Sequence, residues 1–355
     1  MTKLARVVGI ALLTLVPGEL GGSETYVREL LRGLGRVGSL EYRVYVPPVA
    51  PAAGEGLPTE VVAEYGVART PRERLVAMAR GALRRSALRA RVRGDALHYP
   101  LTIRLPPVTA PSIVTLHDLQ HLDLPRLFSR AERAFRAVAW HRSVRGARLV
   151  VVPSAFVRDR AVELLGVDAS RVRVIHHGID HPTFAPDPSV EREPLLVYPA
   201  RAWPHKNHAR LFEAFELLRR SRPGLRLVLT GGGHFDALPD GVEVRGLVPR
   251  EELVSLLRRA SAMVFPSLYE GFGQPPLEAM ACGCPVACSD AASLPEVCGD
   301  AARYFHPDDP RQIAAAVEDV LSAPAEWSRK GLARAATFTW DASARAHDEA
   351  YRAVL

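Results

Sequence analysis

The stretch 269-YEGFGQPPLEAMACG-283 places two carboxylates, Glu270 and Glu278, with seven residues between them that include Gly271, Gly273, Pro275 and Pro276. It follows the apolar run 262-AMVFPS-267, which reads as a buried strand and its exit. Pro275 or Pro276 suits the first turn of a helix that Gly283 would end after barely two turns. Glu270 would then lie ahead of the helix and Glu278 near its first turn. Carboxylates accept hydrogen bonds from sugar hydroxyls. Unpaired amides around Phe272, Gly273 and Gln274 donate to hydroxyl or phosphate oxygens. The stretch therefore fits a ligand that is both polyol and phosphate.

Other residues suited to that ligand stand where apolar strands end. In 195-LLVYPARAWPHKNHARLFEAF-215, Arg201 and Lys206 lie on the loop leaving a strand, and Asn207 is placed to cap the next helix. A forked guanidinium and a compact ammonium form an anion clamp, and a phosphate is its natural occupant. The strand 225-LRLVLTGGG-233 ends in three glycines, a second loop of close backbone approach. Further back, 17-PGELGGSETYVREL-30 sets Gly21 and Gly22 before a helix that Ser23 is placed to cap. The pair offers amides to an anion and equally suits a plain turn. The strand 112-SIVTL-116 runs into His117-Asp118. The histidine suits a bond to a ligand or a developing charge, or a structural role with Asp118 as a turn former.

What positions these residues is a repeated alternation of short apolar strands and amphipathic helices. Strands are expected at 5–13, 42–46, 96–99, 112–116, 148–152 and 172–175, with helices at 24–36, 129–145 and 154–165 between them. The proline-rich, charged run 180-DHPTFAPDPSVEREP-194 reads as a linker. The pattern then restarts, with strands at 195–200, 225–230, 262–265 and 285–288 and helices at 207–221 and 250–260. Continuous apolar strands between helices predict parallel, doubly wound sheets. The expected architecture is α/β: two tandem Rossmann-like domains, 1–180 and 195–339, with a cleft between them. A linker at 181–194 joins them, and a last helix at 340–355 is expected to pack back on the first domain. Segments 47–70 and 101–111 read as loops. In such sheets ligands bind beyond the carboxyl ends of the strands, where the singular residues here fall.

Bulk properties agree with this reading. A chain of 355 residues exceeds one ordinary core, and 48% apolar residues suit a globular protein. The opening 1-MTKLARVVGIALLTLVPGEL-20 has the basic start and apolar run of a signal peptide but no small-x-small cleavage site, and a buried first strand explains it. No run of about 18 apolar residues is present to span a bilayer. Three of the four cysteines crowd into 282-CGCPVAC-288, a spacing unlike paired C-x-x-C zinc ligands, which suits small buried thiols. The net charge is +7, and 72-RERLVAMARGALRRSALRARVR-93 carries eight arginines against one glutamate. Its apolar face beside those arginines fits either an anionic membrane surface or a solvated surface helix.

Taken together, the run 266-PSLYEGFGQPPLEAMACGCPVACSDAASLPEVCGDAARYF-305 resembles the signature segment of the retaining glycosyltransferases of family 4, which have the GT-B fold. The likeness covers nearly the whole chain. The segments 117-HDLQHLDLPRLFS-129 and 201-RAWPHKN-207 are similar to those of bacterial polysaccharide mannosyl-type transferases. The resemblance implies that Glu278 holds the nucleotide ribose and Glu270 the donor sugar. It implies that amides of Phe272, Gly273 and Gln274 meet sugar or phosphate, and that Arg201 and Lys206 neutralise the diphosphate with Gly22 closing over it. His117 would stand at the reacting sugar, and backbone near Leu247 and Val248 would meet the base. Gln274 departs from the family pattern, where an apolar residue is frequent. The implied reaction moves a hexose, mannose-type, from a nucleotide-diphosphate sugar to a glycan or lipid-linked acceptor. It would proceed with retention and without a required metal or other cofactor, in the cytoplasm or at the inner face of the membrane. Nucleic acid is not an expected partner, because the arginine run has no interleaved aromatics. The rival readings are another GT-B enzyme, such as a nucleotide-sugar epimerase, or a basic protein that binds nucleic acid or membrane.

Overall fold

The computed structural model describes residues 6–66, 76, 80 and 83–355. The chain divides into two compact units, one formed by 1–178 with 340–355, the other by 179–339.

In the first unit, β1 (Val7–Ala11), β2 (Glu41–Val46), β3 (Thr59–Val61), β4 (Ala96–Tyr99), β5 (Ser112–Thr115), β6 (Leu149–Val152) and β7 (Val172–Val174) form one sheet. Its order is β3-β2-β1-β4-β5-β6-β7, every pair parallel. The second unit repeats the plan with β8 (Glu193–Pro199), β9 (Arg226–Thr230), β10 (Val242–Val244), β11 (Ala260–Phe265), β12 (Val286–Ser289) and β13 (Ala302–Phe305). Its order is β10-β9-β8-β11-β12-β13, again parallel throughout. Each sheet is wound outward in both directions from its first strand, so the order reverses between β1 and β4 and between β8 and β11. The two α/β doubly wound sheets expected from the sequence are present.

Interior strands such as LVVV at β6 and SIVT at β5 are buried at every residue, which is why they read as unbroken apolar runs. Three strands that the sequence reading passed over, β3, β10 and β13, are all sheet edges. An edge strand packs less, so β3 can be Thr-Glu-Val and β13 can expose Arg303. The helix expected at 129–145 is interrupted. Ser129 caps Arg130–Arg136, accepting from the Glu132 amide at 3.1 Å, and a π-helical turn at Ala137–His141 precedes Arg142–Arg145. Of two expected caps, Ser23 is corrected, while Asn207 holds the cap position without a capping side-chain bond. The helix Gly22–Val37 starts with Gly21 at its cap, and Ser23 lies inside it. Asn207 caps His208–Ser221 in a left-handed conformation with no side-chain bond to that helix. Its side-chain amide instead donates to the carbonyls of Pro307 at 2.7 Å and Pro266 at 3.2 Å.

Of the arginine-rich run at 72–93, residues 72–75, 77–79 and 81–82 lie outside the described residues, and Arg85–Arg91 is helical. Residues 1–5, the start of the supposed leader, also lie outside them, while β1 is largely buried. Among the described residues, no helix is long and apolar enough to cross a membrane.

Residues 180–194 are packed onto the second unit. Phe184 is buried under the Arg250 guanidinium, and Arg192 donates to the carbonyls of Ala260 and Gly283. The helix Trp340–Arg352 belongs to the first unit and brings a buried polar network to its core. The Tyr26 hydroxyl bridges Thr115 Oγ1 at 2.9 Å and His347 Nε2 at 2.8 Å. His98 Nε2 reaches the same Thr115 hydroxyl, and His98 Nδ1 meets the Tyr351 hydroxyl, both at 2.8 Å. Burial holds the His347 imidazolium down to about pH 4 and keeps His98 neutral as well. Tyr26→Phe leaves His347 and Thr115 short of a partner, so chemical denaturation should show a loss of about 1–3 kcal/mol. Because the unfolded histidines protonate near 6.5 while the folded ones resist, wild-type stability from these groups should fall as pH drops from about 6.5 toward 4.

Candidate active site

In the second unit the loops that leave β8 and β11 flank the point where strand order reverses. The first is 200–207, carrying Arg201 and Lys206, and the second is 266–273, carrying Glu270. The two loops are joined by an ion pair, Lys206 Nζ to Glu270 Oε1 at 2.5 Å, with side chains only 13% and 14% exposed. The Lys206 ammonium also lies 5.5 Å from the centre of the Phe265 ring. Its carbonyl accepts from the buried Tyr198 hydroxyl at 2.6 Å, which fixes the turn Pro204–Lys206.

The 266–273 loop is braced from below by three serines that the sequence reading did not single out. Ser267, Ser289 and Ser293 are all fully buried. Ser289 donates to the Ser267 carbonyl at 2.6 Å, and Ser293 donates to the carbonyls of Glu270 and Phe272 at 2.9 and 2.8 Å. The Leu268 amide donates to the His205 carbonyl at 2.8 Å, tying this loop to the first. The signal for these serines was faint: a hydroxyl inside an apolar stretch that must satisfy a backbone without the help of water.

Gly273 precedes the helix Gln274–Ala281 with φ +100°, and a Cβ there would stand 2.7 Å from the Leu294 side chain. Both facts require glycine, and the prolines at 275 and 276 occupy the first turn as expected. Phe272 is buried with its ring 5.9 Å from Phe338, so its backbone is the part turned to function. Glu278 is the fifth residue of the helix, just past the first turn near which the sequence reading placed it. Burial raises its carboxyl to about 7, offset by the charge of Arg250 and a side-chain bond from Gln274, while Asp180 adds to the rise. The two acids of the signature stretch thus have different surroundings: Glu270 faces an ammonium, and Glu278 lies in a less polar pocket by Arg250.

The glycine run completes the rim. Gly231 has φ +104°, and a Cβ there would come within 2.6 Å of the Ala200 backbone, so the run lies directly against the loop that carries Arg201. The Ala202 amide donates to the Gly232 carbonyl at 3.0 Å, and Gly231 donates to the Gly246 carbonyl at 2.7 Å. The latter bond draws in Leu247 and Val248; Leu247 is 74% exposed and borders Gly232. Arg201 lies 5.5 Å over the exposed Trp203 ring. Arg201, Lys206, Leu247, Val248, Glu270, Phe272, Gly273, Gln274 and Glu278 therefore share the carboxyl-terminal edge of one sheet.

Gly21, Gly22 and His117 belong to the first unit. The two glycines are exposed at the start of the helix Gly22–Val37, with Gly21 at φ +53°. His117 stands at the carboxyl end of β5, edge-on to Tyr26 with ring centres 5.1 Å apart. Its Nε2 contacts the Pro100 carbonyl at 2.8 Å. A carbonyl only accepts, so Nε2 carries the proton and Nδ1 keeps its lone pair. Burial lowers the pKa, leaving a neutral imidazole.

The four cysteines are free and buried, and burial pushes the Cys282 and Cys284 thiols up to about 12. Among the described residues no cluster of histidine, cysteine, aspartate and glutamate is arranged to hold a metal ion.

Two parallel doubly wound sheets with these residues beyond their strands define the class of GT-B glycosyltransferases. Two family models match almost end to end: Glycosyltransferase Family 4 over residues 20–182 and Glycosyl transferases group 1 over residues 182–337. The O-antigen chain mannosyltransferase B of Escherichia coli is 32% identical over 285 residues, covering 73% of this chain and 74% of that protein. The chain belongs to glycosyltransferase family 4. Among solved structures, it is similar to sucrose-phosphate synthase from Thermosynechococcus elongatus, with a TM-score of 0.78 and 20% identity over 98% of this chain and 99% of that one. It is also similar to HepE from Anabaena, solved with UDP and glucose, with a TM-score of 0.72 and 17% identity over 98% and 99%. At those identities the likeness is one of fold.

Two outcomes follow from the charges. Lys206→Met strands Glu270 in a largely dry site and should cost about 3–5 kcal/mol, whereas adding Glu270→Leu should recover most of it. Equal urea midpoints for the single and double variants would show that the two charges are not coupled. For Glu278, the folded carboxyl binds its proton up to about pH 7 while the unfolded one releases it near 4.5. Its contribution to stability is thus greatest in acid and fades as pH rises through that window. Glu278→Gln should flatten this dependence and melt above the wild type at pH 8.

Proposed function

We propose that this enzyme transfers a hexosyl group from a nucleotide-diphosphate sugar to a hydroxyl of a glycan or lipid-linked acceptor, with retention of configuration, in cell-surface polysaccharide or glycolipid synthesis. The observation that carries the reading is the Lys206–Glu270 pair, set beside Arg201 and a glycine run at the switch point of a Rossmann-like sheet.

Breaking the bond from the anomeric carbon to a diphosphate leaves oxocarbenium character on the sugar and added negative charge on the leaving group. The charge that grows must be met by groups already in place. Arg201 offers a planar fork to phosphate oxygens. Lys206 has three donors, so it can keep Glu270 while giving another hydrogen bond to a phosphate. Glu270 then lies beside the bond being broken and accepts from hydroxyls of the donor sugar, joined by the amides of Gly273 and Gln274. Glu278, in its drier position, accepts from the ribose, and the backbone at Leu247 and Val248 lies by the base. His117, neutral and with Nδ1 unprotonated, serves the acceptor hydroxyl. Glu270 and Glu278 have no arrangement as nucleophile and acid, which favours attack on the face that the leaving group vacates, with a phosphate oxygen taking the proton.

Mannose as the transferred sugar draws support from the name of the Escherichia coli relative, and a nucleotide donor from the UDP in the Anabaena structure. The fixed cations take the role that a divalent ion would otherwise fill, so no metal or other cofactor is required. On this reading the enzyme works in the cytoplasm, at the inner face of the membrane when its acceptor is lipid-linked.

Incubation with a panel of nucleotide sugars should show slow donor hydrolysis with one of them, and EDTA should not abolish it. Proton NMR of the first-formed product should show the donor's anomeric configuration; inversion would overturn the mechanism. Arg201→Ala should lower kcat by about 10²–10³. An enzyme that epimerises the donor without any acceptor would speak for the rival reading.

A further inference from the structure

The first unit contains a cavity of about 190 Å³ at the point where its own strand order reverses. The loop leaving β1 contributes Leu13, Leu15 and Val16, and the loop leaving β4 contributes Leu101. Phe135 and Trp140 close the wall from the interrupted helix. Thr14, Ser23, Thr102, His117 and Asp118 are the polar residues that border the same space.

Three features distinguish this space from a packing defect. Phe135 and Trp140, with Leu101 and Ile103 on the same wall, are large apolar side chains left only partly buried. Trp140 lies on the π-helical turn Ala137–His141, a widened turn frequent at functional sites. Here it marks where the helix departs from its regular path. The carboxyl ends of strands at a reversal point are also where doubly wound sheets hold small molecules.

Size and lining decide what fits. A dry cavity of about 150 Å³ takes a benzene ring, so this one is too small for a nucleotide sugar and right for a few carbons. The lining is mostly apolar, so a bare sugar would set several of its hydroxyls against leucine, valine and aromatic side chains, which is unfavourable. A hydrocarbon chain has no such cost and leaves the rim to a hydroxyl, which can donate to Nδ1 of His117. We propose that the cavity takes the hydrocarbon portion of an amphipathic acceptor, and that the acceptor's nucleophilic hydroxyl lies at His117 and Asp118. This rests on the transferase reading and narrows its acceptor to a molecule with an aliphatic part close to the reacting hydroxyl.

The test uses the whole protein without donor and a homologous series of alkyl glucosides, methyl to octyl, below the concentrations at which they form micelles. Calorimetry should show affinity climbing with chain length, by up to about fourfold per fully buried methylene, and levelling once the cavity is filled. Octyl glucoside should bind at least about tenfold more tightly than methyl glucoside, with a negative heat-capacity change. Leu101→Trp, which fills the space, should remove that advantage without altering affinity for UDP or GDP. If this variant unfolds, Phe135→Ala gives a second reading, since it strips one wall and should weaken octyl glucoside binding by several-fold. Equal binding of the methyl and octyl compounds, or octyl binding unchanged in a folded Leu101→Trp, would overturn the proposal. Chain-length-dependent binding that Leu101→Trp abolishes, in a protein that binds no nucleoside diphosphate, would uphold the cavity and refute the transferase reading.

Discussion

The ion pair between Lys206 and Glu270 is the constraint around which the second unit's upper edge is arranged. Either charge alone would be expensive in a position so little exposed. Together they lock the exits of β8 and β11, the two strands that part at the centre of the sheet. Everything near them serves that register. Tyr198 holds the backbone of the lysine turn, Asn207 fastens the next residue to two proline carbonyls, and buried serines hold the acidic loop from beneath. The pair is neutral as a whole, so on the proposed reading a diphosphate would gain the field of Arg201 and a further hydrogen bond from the ammonium without dismantling the frame.

The two units offer contrasting environments. The second presents charges, backbone amides and glycine backbone, suited to a ligand dense in oxygen. The first presents leucines, two half-buried aromatics and an imidazole that burial keeps neutral. A transferase must handle one substrate that is highly charged and another that is not. On the proposed reading, each unit's kind of surface suits one of the two. The two acids of the signature stretch show the same division on a smaller scale, since Glu270 is paired with an ammonium while burial carries Glu278 toward neutrality.

Most of the fold was legible in the sequence because interior parallel strands are buried on both sides and must be apolar throughout. What escaped was the edge: β3, β10 and β13 face solvent on one flank and can be polar, as Thr59 and Glu60 are. The site residues could be named because glycine, proline and paired charges have narrow physical uses. The direct pairing of Lys206 with Glu270 could not, since that bond spans 64 positions of chain. The capping side chains were misjudged for a related reason. Ser23 and Asn207 have capping side chains, but the turn geometry chose glycine in one case and a tertiary bond in the other. The apolar cavity gave no local signal at all, because its walls come from loops and a helix scattered between Leu13 and Trp140.

The first unit is assembled from two separate lengths of chain, with Trp340, His347 and Tyr351 supplying buried contacts to a body otherwise made of residues before 179. During synthesis on the ribosome, those contacts are missing until the intervening 161 residues of the second unit have been made. The histidine and tyrosine network around Thr115 must stay incomplete for all that time, with Tyr26 lacking His347 and His98 lacking Tyr351. The later-made sheet is thus free to finish before the earlier one, and the order of folding can run opposite to the order of translation.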